Sequence, residues 1–340
     1  MRQLTLTAAD ACSWADAPDP GPPGDHAALV RPVAVACCDL DVAVGLGRLS
    51  MPPGHALGHE GIAEVLDVGA AVTSVAVGDR VVVPFQISCG RCTACIRGIT
   101  GTCASEPLMA MYGMAPLAGR DGGGFMADTV TVPYADAMLI KLPSGVDAVT
   151  VASLSDNIPD GWRGVGPYRA EIDALTPSDR RVLVLGTLSI GLYAAAFAAA
   201  LGARVDYVDT DPVKLAIAEQ LGAVAHDRPK PDKAWEPYPV TVHTTGDPAN
   251  LAAALRATWP DGVCTDTGIY TAPVELPLLQ MYTRGVRLVT GRVNARAVIP
   301  RVVDLLGATA DLGPVVERVA SWEEAETVWP AMTGKTVFTR

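Results

Sequence analysis

The sequence predicts an α/β protein of two domains, one β-rich and one built on a doubly wound parallel sheet. Three observations carry this. At 340 residues the chain is long enough for two separate cores. The stretch 180–211, "RRVLVLGTLSIGLYAAAFAAALGARVDYVDTD", reads as strand, glycine turn, helix, strand, the unit from which parallel sheets are assembled. Upstream, "LGHEGIAEVLDVG" at 57–69 and "VAVGDRVVVPF" at 75–85 are short Val, Ile and Ala runs bounded by Gly and Asp, which marks β-strands.

Composition narrows the class. Hydrophobic residues make up 49% and charged residues 19%, the balance of a soluble globular protein. No apolar run approaches the ~20 residues needed to cross a bilayer. The opening stretch "MRQLTLTAADACSW" lacks the apolar centre of a signal peptide. The expected compartment is the cytoplasm, where thiols stay reduced. A formal net charge of -11 argues against a nucleic-acid partner, because phosphate binding needs a basic face.

Within the β-rich part, 87–103 reads "ISCGRCTACIRGITGTC" and concentrates Cys89, Cys92, Cys95 and Cys103. Disulfides between such near neighbours do not suit a reducing compartment. Four thiolates on one short loop can close a tetrahedral shell around zinc, and a closed shell leaves no position for substrate. The expectation is a structural zinc. Unliganded thiols are the plain alternative. An iron–sulfur cluster matches the ligand count, but the surrounding sequence argues against it.

In the second part, 182–185 is a continuous apolar run, as a buried parallel strand requires. The segment 190–201 is Ala-rich with a helical period, Gly202 ends it, and 204–208 is the next strand. A dinucleotide-binding turn of this kind reads Gly-x-Gly-x-x-Gly. Here it is Gly186-Thr187-Leu188-Ser189-Ile190-Gly191, so Leu188 stands at the middle glycine. That substitution predicts an altered backbone path or a weaker dinucleotide site. Asp209 ends the second strand about twenty residues on, where a carboxylate hydrogen-bonds ribose hydroxyls. It would repel the extra phosphate of NADP, and Thr210 and Asp211 supply no arginine to hold one, so NAD is favoured. Gly186, Leu188, Ile190, Gly191 and Asp209 are the cofactor candidates. Further strands are expected within 239–246, 261–270 and 285–293.

Taken together, "GHE" at 58–60, "VGDRV" at 77–81 and the cysteine loop that follows make the chain resemble the medium-chain, zinc-dependent alcohol dehydrogenases. The segments 152–162, "ASLSDNIPDGW", and 291–306 are similar to the formaldehyde dehydrogenase branch. The resemblance implies a GroES-like catalytic domain from 1–157 and 292–340, a Rossmann NAD-binding domain at 158–291, and an active site in the cleft between them. It implies a second, catalytic zinc. In "VRPVAVACCDLD" at 30–41 the family's Cys-Gly-Thr/Ser-Asp motif aligns with Cys38 as ligand and Asp41 as its Asp. Cys37 is the alternative at a one-residue slip. His59 is the second ligand, and Glu60 sits in or beside the metal shell. Asp156 is the third ligand, with a helix-capping role as its alternative and Asp160 as a poorer ligand. Lys335 matches a basic residue that touches cofactor phosphates, though a surface lysine reads the same way.

Three protein ligands leave one position open, which polarises an alcohol or aldehyde oxygen. The resemblance therefore implies hydride transfer between NAD and an alcohol, aldehyde or ketone, in a homodimer or homotetramer. Leu40 departs from the family, whose Thr/Ser hydroxyl relays the substrate proton. Asp39, Glu60, His55 or a water chain are the other exits. Two further readings stay open: a dismutating or redox-neutral zinc enzyme with retained NAD, and a non-catalytic NAD-binding relative.

Overall fold

The computed structural model describes residues 1–8, 10–45, 51–114, 122–306 and 310–340. The chain forms two compact units. The first comprises Met1–Pro159, Asn294–Asp304 and Val316–Arg340, and the second comprises Asp160–Val293 and Leu305–Val315.

The first unit is organised around the strand Ala28–Ala36, whose residues alternate between buried and less buried positions along its first half. It pairs antiparallel with Glu60–Val68, Val130–Val132 and the C-terminal strand Thr336–Thr339. Pro32 cannot donate to a ladder, and the register shifts between Pro32 and Ala34, as expected for proline within a sheet. Across the less buried face Arg31 pairs with Glu64 at 2.9 Å. The sheet runs on through Arg80–Val82 to Ile140–Lys141 on one side and to Arg318–Ser321 on the other. Both expected strands at 57–69 and 75–85 are therefore present. Where Ala28–Ala36 ends, Cys37 N donates to Thr336 O at 2.9 Å, and Cys38 leads into the helix Asp39–Gly45.

The second unit is a six-stranded sheet whose strands are all parallel. In spatial order they are Val224–Asp227, Arg204–Asp209, Arg181–Leu185, Tyr238–His243, Thr258–Asp266 and Arg287–Val289. The chain order reverses beside Arg181–Leu185, which is where an open parallel sheet presents a ligand crevice at its carboxyl edge. Residues 182–184 are 0% exposed, which explains their unbroken apolar run. The helix Leu188–Ala200 is apolar on all sides and almost wholly buried. Among the described residues no helix is long and apolar enough to cross a membrane.

Candidate functional site

Three chain segments converge in the first unit. Cys38 comes from the end of Ala28–Ala36, His59 from the residue before Glu60–Val68, and Asp156 from the turn after the short 3-10 helix Ala152–Ser155. Their ligand atoms all lie within 4.8 Å of one another. Cys38 Sγ is 3.4 Å from Asp156 Oδ2, and His59 Nε2 is 3.6 Å from the same oxygen. Gly58 makes the approach possible. It adopts φ +86, and a Cβ there would lie 2.9 Å from Met126 N, so only glycine delivers His59 at this point.

The two adjacent cysteines face opposite ways, as alternation along a strand requires. Cys37 Sγ accepts from Thr336 N at 3.1 Å and lies 3.5 Å from Gly334 O. Cys38 alone faces the cluster.

Behind the ligands lies a shell of carboxylates. Asp41 Oδ2 accepts from Cys38 N at 2.8 Å and stands 3.8 Å from His59 Nδ1, a buried atom with no hydrogen-bond partner. His59 thus turns Nε2 to Asp156 and Nδ1 towards a second carboxylate that lies beyond hydrogen-bond distance, a looser form of the outer contact usual for metal-binding histidines. Burial alone would lower its pKa, but Asp41 and Asp156 outweigh it and push it up to about 9. A metal entering at neutral pH must expel that proton, so metal retention should tighten as pH rises. A single thiol, imidazole and carboxylate match the donor set of a three-ligand zinc site with one open position.

Glu60 is not one of the ligands brought together. It is 0% exposed and accepts from Ser153 Oγ at 2.8 Å, Asn157 N at 2.7 Å and Lys335 Nζ at 3.0 Å. Burial pushes its carboxyl above the usual range, although the Lys335 ammonium pulls the other way. Lys335 is accordingly no surface lysine. Its side chain is fully buried, and Nζ also donates to Cys37 O at 2.6 Å. In this placement the ammonium neutralises Glu60, and a phosphate contact would require it to leave that pair. Asp160 is ion-paired with Arg163 and groups with the second unit. His55 Nδ1 is bonded to Pro52 O at 2.8 Å.

Two polar features escaped the sequence reading. Asn157, 1% exposed, places Oδ1 3.2 Å from Cys38 Sγ. In the second unit, His243 Nδ1 bonds Asp266 Oδ1 at 2.8 Å, and Thr245 Oγ1 bonds His243 Nε2 at 2.7 Å. That chain braces the carboxyl ends of two neighbouring strands.

The four loop cysteines form a second group, again with all sulfurs within 4.8 Å. Gly90, at φ +72, turns the loop inward. Backbone N–H groups point at sulfur: Cys89 N at Cys103 Sγ and Ala104 N at Cys92 Sγ, both at 3.3 Å. Ser105 Oγ donates to Cys89 Sγ at 3.3 Å. Such donors suit thiolates, which only accept.

At the glycine turn of the second unit, Leu188 adopts φ +51, the left-handed region that costs an ordinary residue about 1–2 kcal/mol. The turn therefore keeps the path a glycine would take, under strain. If the turn receives a pyrophosphate as the sequence predicts, replacing Leu188 with Gly should tighten NAD binding about tenfold in a fluorescence titration, because it removes the side chain at the middle-glycine position; an unchanged or weaker Kd would show that Leu188 does not limit the site. Asp209 is held at its strand end by Thr210 N at 2.7 Å and Asp211 N at 3.1 Å. Arg228, which follows the neighbouring strand, is engaged with Asp232 at 3.2 Å and lies 5.2 Å above Trp235.

Comparison with known proteins completes the description. Residues 24–144 match the family model "Alcohol dehydrogenase GroES-like domain", and residues 189–308 match "Zinc-binding dehydrogenase". A glutathione-independent formaldehyde dehydrogenase of Pseudomonas aeruginosa is 37% identical over 206 residues, 58% of this chain and 50% of that protein. The match thus spans about half the length of that relative. A formaldehyde dismutase of Pseudomonas putida is 28% identical over 78% of this chain and 76% of its own length. Among solved structures, an alcohol dehydrogenase from Thermus sp. ATN1 superposes with a TM-score of 0.87 at 25% identity, covering 100% of this chain and 99% of that one.

Proposed function

Because the chain belongs to the zinc-binding medium-chain alcohol dehydrogenase family, we propose that it transfers hydride between a small alcohol or aldehyde and NAD. In this reading one zinc sits at Cys38, His59 and Asp156, and a second at Cys89, Cys92, Cys95 and Cys103. The observation that carries it is the meeting of one thiol, one imidazole and one carboxylate within 4.8 Å.

When bound at the three-ligand site, zinc supplies Lewis acidity toward a hydroxyl or carbonyl oxygen. The protein does the rest. Asp41 faces the outer nitrogen of His59 at 3.8 Å, and its negative charge favours the ring orientation that directs Nε2 inward. The Glu60–Lys335 pair is neutral overall, so it adds no net charge beside the ligands. The turn from Gly186 to Gly191 and the start of the following helix offer backbone N–H groups to a pyrophosphate, and Asp209 accepts from ribose hydroxyls. Leu40 carries no transferable proton, and Glu60 is engaged with Lys335; His55, whose Nδ1 is bonded to Pro52 O, keeps Nε2 for a proton and stands with Asp39 and solvent as the exits.

The test is initial-rate assay of short alcohols and formaldehyde with added NAD, following reduced nicotinamide. Absence of turnover with every one of them would remove the proposal. Replacing Asp209 with Gly should weaken NAD at least about tenfold while leaving NADP unchanged or improved; equal weakening of both would refute the ribose role. A second reading, dismutation of an aldehyde with retained NAD, draws on the likeness to the formaldehyde dismutase. It predicts equal yields of alcohol and acid without added cofactor.

A further inference from the structure

We propose that the carboxamide of Asn157 donates a hydrogen bond to Cys38 Sγ when the site holds its metal, and that this bond sets how strongly the sulfur donates to the metal. The proposal rests on the metal assignment at Cys38, His59 and Asp156 made above. Asn157 directly follows Asp156, is 1% exposed, and lies 3.2 Å from Cys38 Sγ through the atom labelled Oδ1. That orientation suits a thiol, which donates to oxygen. A metal-bound cysteine has lost its proton and can only accept. An oxygen facing it would place two electron-rich atoms 3.2 Å apart in a buried site. The two ends of a carboxamide have the same shape, so a half-turn about its last bond presents N–H to the sulfur instead.

The backbone of the residue is fixed. Its backbone N–H donates to Glu60 Oε1 at 2.7 Å, and Glu60 is in turn anchored by Lys335 at 3.0 Å. The buried ion pair therefore acts on the cluster by holding Asn157 in place. Leu40 N, 3.5 Å from the same sulfur, is a second donor. Two N–H groups draw electron density from the thiolate. This matters because a thiolate and a carboxylate together cancel both charges of a divalent metal. The acidity that remains then depends on how far those charges are drained by outer hydrogen bonds. Asn157 is thus a positioning and tuning residue, not a ligand.

The experiment uses protein with cobalt(II) exchanged into the Cys38 site and zinc retained on the four-cysteine loop. Its readout is the sulfur-to-cobalt charge-transfer band. Asn157→Leu should shift that band to longer wavelength, with the visible band intensity of a four-coordinate ion unchanged. It should also lower kcat about tenfold without changing KM for NAD. Asn157→Asp keeps the outline, removes the N–H and should shift the band the same way, which covers a failure of the leucine variant to fold. A band that stays in place in the folded variants overturns the proposal. So does a change in visible intensity that reports a new coordination number, because Asn157 would then be a ligand itself. If the parent shows no charge-transfer band that disappears in Cys38→Ala, the metal assignment falls, and this proposal with it.

Discussion

Replacing His59 with alanine should lower turnover by at least about a thousandfold while both units stay folded. His59 is 2% exposed and supplies the one nitrogen of the cluster. Without it Cys38 and Asp156 remain, and two donors do not retain zinc against solvent. The Lewis acid that lowers a hydroxyl pKa by several units is then gone. The fold should tolerate the change. Truncating a buried side chain costs about 1–3 kcal/mol, and the substitution also removes a ring whose Nδ1 has no hydrogen-bond partner. Steady-state kinetics, far-ultraviolet circular dichroism and metal content on one preparation decide the matter. Full activity in the variant would exclude the metal role of His59.

Replacing Cys95 with alanine should strip the loop zinc and destabilise the lobe around 87–103. The reason lies in what this segment is made of. It contains one turn of helix, Thr93–Ile96, and one 3-10 turn, Thr100–Thr102. Its buried cluster consists of Cys89, Cys95 and Cys103, with Cys92 and Tyr134 packed against it. Ile96 points away, 74% exposed. In that cluster the sulfurs take the place of aliphatic side chains, so a metal bound by all four would be its main tie. Structural zinc contributes about 10–16 kcal/mol in zinc-finger peptides, comparable to the whole stability of a domain. The loss here is local, so the expected result is cleavage by protease within 87–103 and a fall in Tm of about 5 °C or more. The Cys38 site should keep its metal. An unchanged Tm with zinc retained would contradict the closed-shell reading.

These expectations differ in how much of them the sequence alone could support. The βαβ unit at 180–211 was legible because strand and helix periods are local, and the four-cysteine loop because its ligands lie within fifteen residues of one another. Cys38, His59 and Asp156 are far apart in the chain and were legible only through motifs that the resemblance supplied. The shell behind them was not. Lys335 meets Glu60 across 275 residues, and a lone lysine before a short strand carries no local sign of burial. Asn157 opens a helix and reads as an ordinary helix start; its contact with Cys38 depends on how the turn after Ala152–Ser155 lies against the end of Ala28–Ala36. Leu188 shows the converse. The missing glycine was plain, but the outcome depended on whether the backbone would take φ +51 with a leucine in place, which only the packing around the turn decides.

The most direct test is the number of zinc ions per chain in freshly purified protein with none added. Two per chain are expected, one on Cys89, Cys92, Cys95 and Cys103 and one on Cys38, His59 and Asp156. One per chain, unchanged when His59 is replaced by alanine, would contradict a loaded catalytic site and leave only the structural zinc.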